Sequence, residues 1–501
     1  MTNYDILIVG GGINGVGIAR DAAGRGLRTA LCEQGDLAGA TSWASSKLIH
    51  GGLRYLEHGE FRLVREALSE REILLRSAPH LVRPLRLVLP HAPGMRPAWM
   101  IRLGLWFYDH LSGRGQLPGS TGVRIMSDLG LNARFNCGFE YSDAQVDDAR
   151  LVVVNAVDAA RRGADILVGA RVIEATGDAG TWCVSVELGG QVRVFTARVL
   201  VNAAGPWAQQ VLERIGGDTS RGRLRLVRGS HIVVARKPTE RGLLLQNDDG
   251  RVVFVLPFER DFTLIGTTDV EVSDPNDAKM SDEERDYLLA AANRYLASPL
   301  SASEIVWFYA GLRALYDDRT QRASAITRDY VLQLNRVDGL PCLSVLGGKI
   351  TTYRRLAEQA LERLAPWLGA TKGPWTADAQ LPGGELPAGG VSPLLAQLRG
   401  ERAQLPGDVL AGMTARHGSL VRDVLGDARS PGDLGRDFGA GLYEREVDYF
   451  IRNEWARSGD DVLWRRTKCG LRMTAEQRRV VGEYVEGVVG RGVVPAGQSS
   501  A

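Results

Sequence analysis

The chain predicts three architectures in succession: an α/β nucleotide-binding domain, discontinuous in sequence, an inserted α+β domain with an antiparallel sheet, and a helical C-terminal domain. Three observations carry this. Residues 1–35 alternate strand and helix patterns around a glycine turn. Three period-2 stretches, HIVVARK, GRVVFVLPF and DFTLIGTTD, crowd residues 231–269. Residues 391–501 are polar, charged and helical in pattern.

In order, the first element is the apolar run Ile6-Leu7-Ile8-Val9, which ends in Gly10, Gly12 and Gly15, spaced G-x-G-x-x-G. A helix-like GIARDAAGRG follows, then TALCE, ending in Glu33 eighteen positions after Gly15. Strand, glycine turn, helix, strand and acid together make the Rossmann-type dinucleotide fingerprint. Gly10 permits the tight turn, Gly12 lets the backbone approach a pyrophosphate, and Gly15 lets helix and strand pack closely. The helix N-terminus offers free N–H groups to phosphates, and Glu33 accepts from a ribose.

VDDARLVVVNAVDAARRGADIL reads as a helix and then a strand, residues 281–297 as an amphipathic helix, CLSVLG as a strand and TTYRRLAEQALERL as a helix. LPGGELPAGG, 381–390, reads as a linker. The expected division is 1–82, 146–225 and 320–380 for the nucleotide domain, 83–145 and 226–319 for the substrate or cap domain, and 391–501 for the helical domain.

Composition narrows the function. A net charge of +2 over 501 residues gives no reason to expect nucleic acid. Five scattered cysteines with no CxxC argue against a disulfide framework or zinc and for a reducing compartment. The N-terminus runs straight into a strand, leaving no room for a signal peptide. No apolar run approaches the ~20 residues that span a bilayer. The expected location is the cytoplasm or the cytoplasmic face of a membrane.

Three segments favour FAD over NAD. Residues 40–61, ATSWASSKLIHGGLRYLEHGEF, place hydroxyls and Gly51-Gly52 after the second strand. RVLVNAAGPWA, 198–208, ends a strand in Ala-Ala-Gly, and SVLGGKITTYR, 344–354, runs strand, Gly-Gly and a helix opened by Thr351-Thr352. An extended cofactor needs such donors beyond the first turn.

Together these segments resemble the FAD-dependent, aerobic, quinone-linked glycerol-3-phosphate dehydrogenases of bacteria. The carriers include SSKLIHGGLRYLEHGEFRLVREAL, FEYSDAQVDDARL, VNAAGPW, IGTTDVE, GLRALYDD, AITRDY and GGKITTYR. The likeness spans nearly the whole chain and is looser beyond residue 370. It implies oxidation of sn-glycerol 3-phosphate to dihydroxyacetone phosphate by hydride transfer to FAD, with electrons passed to membrane quinone. It implies cofactor contacts at Gly10, Gly12, Ile13, Asn14, Gly15, Glu33, Thr41, Ser42, Ser46, Lys47, His50, Gly51, Gly52, Val172, Ala204, Gly205, Trp207, Gly348, Lys349, Ile350 and Thr351. FAD is expected to be non-covalent, since Cys32 falls at the ribose end.

The substrate carries a phosphate dianion and a secondary alcohol, so its site needs cations and a proton acceptor. Arg54 and Arg313, both read in glycine-containing turns, suit phosphate through the planar guanidinium fork, and Lys349 adds a point charge. Tyr55 adds a hydroxyl. His231, read at the start of a strand, and Lys349 are rival bases, and Arg313 would steady the developing oxygen charge. His50 is expected at the flavin ring. Asp317 and Asp318 have no third ligand nearby, so no metal is expected.

Residues 83–114 place Trp99, Leu103, Trp106 and His110 on one helical stripe, with Met100 and Phe107 beside it. Arg83, Arg86, Arg96, Arg102 and Arg114 carry positive charge against a lone acid, Asp109. The pattern fits either a core helix with exposed arginines or a monotopic contact with the inner-leaflet lipid of the cytoplasmic membrane. The C-terminal helices either cover the nucleotide domain or form a homodimer contact. Competing functions are an oxidase passing electrons to oxygen and a non-catalytic flavin-binding sensor.

Overall fold

A computed structural model describes residues 2–112, 115, 117–125, 129–219, 223–236, 239–317 and 329–492. Arg114, Asp318 and most of AITRDY lie outside the described residues.

Two large sheets organise the molecule. The first orders its strands Val331–Val337, Leu340–Leu346, Gln191–Asn202, Thr2–Val9, Thr29–Glu33 and Asp165–Val168. From Leu340–Leu346 onward, every neighbouring pair is parallel. Helices Ile13–Gly24, Asp148–Arg161 and Tyr353–Leu368 bury one face around Ile6, Ile8, Val199 and Leu343. A meander of Ala170–Asp178 and Thr181–Leu188 folds back on Gln191–Asn202 and covers the other. Coverage on both faces is why these strands read as continuous apolar runs.

The glycine turn joins sheet and helix at close quarters. Gly10 sits at φ +111, and a Cβ there would fall 2.6 Å from the Ala203 carbonyl. A Cβ at Gly15 would fall 1.9 Å from the Gly10 carbonyl, so the helix cannot seat with a larger residue.

The second sheet is the inserted one. It orders Val270–Val272, Arg223–Val234, Phe262–Gly266, Val252–Phe258, Gly242–Gln246, Val82–His91, Cys137–Val146 and Leu48–Ile49. Strand Ile305–Asp317 adds to Arg223–Val234, and Thr121–Arg124 to Cys137–Val146. Helix Asp282–Asn293 packs on one face, opened by a capping box between Ser281 and Glu284. The short strand Leu48–Ile49 thus belongs to the second sheet although it lies within residues 1–82, and Arg223–Val234 crosses the expected boundary at 225.

The C-terminal domain has two small cores on helices Val391–Glu401, Gly407–His417, Glu444–Glu454 and Ala475–Gly490. It also contains a hairpin, Asp437–Gly439 with Leu442–Tyr443, that the helical pattern did not announce. It covers the nucleotide domain: Arg150 pairs with Glu454, and Lys468 with Asp147, through buried contacts. The start of the glycine-rich stretch at 381–390 is packed into this junction, contrary to a linker. Leu381 N–H donates to the Ser77 carbonyl at 2.8 Å, and a Cβ at Gly383 would fall 2.4 Å from the His417 carbonyl. Its glycines permit close approach there.

Candidate active site

The first sheet ends its parallel strands on a cavity of about 1690 Å³ whose far wall is the second sheet. That exceeds the roughly 300–1,000 Å³ of ordinary ligand pockets and suits an extended dinucleotide with a small substrate. The three glycine-bearing strand ends meet here: Ala204-Gly205 after Gln191–Asn202, Gly347-Gly348 after Leu340–Leu346, and residues 40–46 after Thr29–Glu33. Gly347 and Gly348 hold φ +79 and +107, and a Cβ on Gly348 would fall 2.9 Å from Asn14 Nδ2.

One end is polar backbone. A Cβ on Gly12 would meet only Ser42 Oγ, at 3.1 Å, which leaves a cradle open to the cavity. Ile13 N–H, the first helical donor, points at Ser42 Oγ at 3.0 Å. Glu33 is fixed by the N–H groups of Gly11 at 2.6 Å and Gly35 at 2.7 Å. Burial pushes this carboxyl up against the pull of those N–H groups. Thr41 Oγ1 donates to the Leu312 carbonyl at 2.7 Å, and Asn14 Nδ2 to the Gly347 carbonyl at 3.2 Å. Val172 and Trp207 also line the wall.

The other end carries the reactive side chains. His231 lies near the end of Arg223–Val234, not at its start, opposite Gly266 and Tyr309. Its ring stacks on Tyr309 with centroids 4.8 Å apart, and Nε2 shares a hydrogen bond of 2.9 Å with Ser46 Oγ. Burial holds the imidazole well below its usual value, helped by the charges of Lys47 and Arg313. It is therefore neutral at pH 7. Arg313 sits mid-strand on Ile305–Asp317 rather than in a turn, and reaches the Thr268 carbonyl at 2.8 Å and the Asp269 carboxylate. Arg54 and Tyr55 lie on the short 3-10 helix Leu53–His58, entered through Gly52 at φ +78. Lys349 Nζ stands 3.8 Å over the Tyr55 ring, a cation–π contact. His50 N–H reaches Thr351 Oγ1 at 3.4 Å, and burial, with the Lys349 charge, holds this imidazole down. Arg54, Tyr55, His231, Arg313, Ile350 and Lys349 all line the cavity.

Three expected cofactor residues do not line it. Lys47 is buried at φ +56, with Nζ on Asp148 at 2.8 and 2.9 Å and on the Trp43 carbonyl at 2.7 Å, so its charge braces the loop. Gly51 is pressed against Leu68 and donates to Tyr108 Oη at 2.8 Å. Gly15 acts one layer back, in helix packing. Sequence reasoning missed Asp269 and Thr268, which hold Arg313, and Ser45, which donates to Asp148 beside Lys47. The only signal was the break in alternation at Thr267-Thr268-Asp269.

Helix Ala98–His110 packs on Leu53–His58, whose Arg54 and Tyr55 line the cavity. Its apolar stripe faces outward: Trp99 is 64 % exposed, Trp106 53 % and Leu103 47 %. Leu105 and Tyr108 form its buried side. Two expected headgroup cations are spent internally, Arg86 on Glu140 and Ser142 and Arg83 on the His80 carbonyl. Among the described residues no helix is long and apolar enough to cross a membrane.

A glycine cradle with an acid, Glu33, at one end and a neutral histidine in the same cavity as several cations fits a dinucleotide-dependent oxidoreductase. The match to known proteins makes the class specific. Residues 5–378 match the model of the FAD dependent oxidoreductase family and 374–489 that of the C-terminal domain of alpha-glycerophosphate oxidase, and the chain belongs to the FAD-dependent oxidoreductases. It is 50% identical over 487 residues to a glycerol-3-phosphate dehydrogenase of Pseudomonas aeruginosa, covering 96% of this chain and 95% of that one. It is 45% identical over 489 residues to a D-erythritol 1-phosphate dehydrogenase of Brucella abortus, covering 96% and 97%. Among solved structures it resembles a glycerol-3-phosphate dehydrogenase from Bacillus halodurans complexed with FAD, at TM-score 0.74 and 27% identity, covering 99% and 96%.

Proposed function

We propose that the protein oxidises sn-glycerol 3-phosphate to dihydroxyacetone phosphate. The observation that carries this is that the cations Arg54, Arg313 and Lys349 line, with a neutral His231, one dinucleotide-sized cavity. When bound, FAD supplies the hydride acceptor. Gly12, Ile13 and Ser42 would hold its pyrophosphate, Glu33 its ribose, and His50 and Thr351 its ring end.

Arg54 and Lys349 bind the substrate phosphate, Arg54 through its fork and Lys349 as a charge backed by the Tyr55 ring. His231 takes the hydroxyl proton, because its imidazole is neutral and Ser46 fixes its orientation. Lys349, whose Nζ stands over the Tyr55 ring, is the rival base. Arg313, steadied by Asp269, stabilises charge on the substrate oxygen. Electrons then pass to a membrane quinone, with the exposed stripe of Trp99, Leu103 and Trp106 seated in inner-leaflet lipid on the cytoplasmic face.

The 45% identity to the erythritol-phosphate enzyme supports a second reading, in which a four-carbon polyol phosphate is the better substrate. Anaerobic titration of the FAD-loaded protein separates the two. Bleaching of the flavin band by sn-glycerol 3-phosphate, with glycerol inert, is expected. Faster bleaching by D-erythritol 1-phosphate would move the assignment to that substrate, and no bleaching by either would sink the polyol-phosphate reading. Reoxidation by a quinone analogue faster than by oxygen is expected of a dehydrogenase, and the reverse of an oxidase.

A further inference from the structure

The cavity's adenosine end is built partly from the C-terminal domain. Two loops close that end. One follows Glu33: Asp36 receives Arg466 Nη1 at 2.7 Å, Arg466 Nη2 at 2.8 Å and Arg465 Nε at 2.6 Å. The other follows strand Asp165–Val168: Arg457 Nη1 donates to the Val168 carbonyl at 2.9 Å, and a Cβ on Gly169 would fall 1.8 Å from that nitrogen. Gly169 N–H donates to the Gly35 carbonyl at 3.3 Å, which ties the loops together.

Asp461 organises the arginines. It accepts from the N–H groups of Arg457 at 2.7 Å and Ser458 at 2.9 Å, and pairs with Arg465. Arg457, Asp461 and Arg465 themselves line the cavity beside Glu33 and Val172. Two other ion pairs between the domains, Arg150 with Glu454 and Lys468 with Asp147, fall on residues that do not line it. Plain cement between domains would have no reason to land on the loops that hold the ribose acid. The clamping side chains are sequestered, Arg466 fully and Asp36 nearly so, which makes the fork geometry firm.

We propose that the C-terminal domain forms a wall of the adenosine pocket, so that FAD binding and docking of this domain are coupled. Arg465 and Arg457 act as positioning residues. They fix the loops after Glu33 and Val168 at the spacing the adenosine half requires. Coupling of this kind is reciprocal: what docks the domain tightens FAD, and FAD tightens the domain.

Apoprotein of the full chain supplies the test. FAD is titrated into wild type, Arg465→Ala, Arg457→Ala and a control, Arg479→Ala, whose ion pairs with Glu476 and Glu483 lie on the exposed face of helix Ala475–Gly490. Hydrogen exchange is followed on the same samples. The expected result is a Kd for FAD raised about tenfold in both clamp variants and unchanged in the control, with exchange in strand Thr2–Val9 as in wild type. In wild type, FAD is expected to slow exchange at residues 454–470. Equal Kd values in all four proteins would overturn the proposal. So would a weaker Kd accompanied by faster exchange in Thr2–Val9, which marks general loosening. The wild-type exchange arm needs no variant, and absence of protection at 454–470 counts against the proposal. Failure of polyol phosphates to bleach the flavin would leave it untouched, because it concerns FAD alone.

Discussion

His231 shows how one residue's surroundings set its chemistry. An imidazole in water titrates near neutrality, but here burial and the nearby charges of Lys47 and Arg313 favour the neutral ring. A base held neutral stays competent as the medium acidifies. The acid limb of kcat/KM is therefore expected well below pH 6.5. In Arg313→Gln one of the charges opposing protonation is gone, so the limb moves upward while kcat/KM falls roughly 10- to 100-fold from the lost contact. A wild-type limb at or above pH 6.5 in stopped-flow reduction would remove His231 from the role of base. The candidate residues Arg54, Arg313, Lys349 and His231 were legible as residue types in particular segments. What was not legible was which partner each would take. Lys47 looked like a cofactor cation, yet its amine is taken by Asp148, 101 residues away, together with the Trp43 carbonyl.

At the scale of elements, helix Ala98–His110 was the ambiguous one. Its period fits a core helix and a lipid-facing helix equally, because periodicity reports a stripe and not what covers it. The fold shows which side is covered: Leu105 and Tyr108 face the core, and the tryptophans face out. Trp99→Ser with Trp106→Ser is expected to lower binding to vesicles containing anionic lipid by about tenfold or more, since each indole buries substantial apolar area at an interface. Turnover with a soluble acceptor should not change, as neither side chain lines the cavity. Co-sedimentation equal to wild type would place the lipid contact elsewhere. Other elements were easier to read. The first strand, glycine turn and helix follow local rules, as does helix Asp282–Asn293 with its capping box. The hairpin near 440 was missed because strands of three and two residues carry little signal of their own, and the meander of residues 170–188 was missed although its strands are nine and eight residues long. Gly383 and Gly384 were misread because composition cannot distinguish a glycine chosen for freedom from one chosen for close approach.

At the scale of the whole molecule, the junction between the nucleotide and C-terminal domains is ionic and buried, and this makes stability depend on pH. His80 lies inside it against Gly383 and Gly418, with neither ring nitrogen bonded among the described residues. Burial, with the nearby Arg150 charge, brings this imidazole down to about 3. The unfolded chain's histidine takes a proton near pH 6.5, so below that pH the unfolded state gains a proton that the folded state refuses. Stability present above pH 6.5 is thus lost as pH falls toward 3. By pH 5 His80 alone accounts for about 2 kcal/mol. The buried rings of His50, His231 and His417 act in the same direction. Glu446 enters lower. Burial pushes its carboxyl up, but Arg416 and His417 outweigh this and hold it at about 2, so its contribution is lost only as pH falls from 4.5 toward 2. Two regimes of acid destabilisation are expected, a shallow one beginning below pH 6.5 and a steeper one below 4.5. His80→Gln cannot titrate, so between pH 7 and 5 its unfolding free energy should fall by about 2 kcal/mol less than that of wild type. Denaturant unfolding followed by tryptophan fluorescence at each pH measures both slopes. Identical slopes in the two proteins would mean that His80 takes its proton without the domains parting, and that the junction yields to acid first at Glu446.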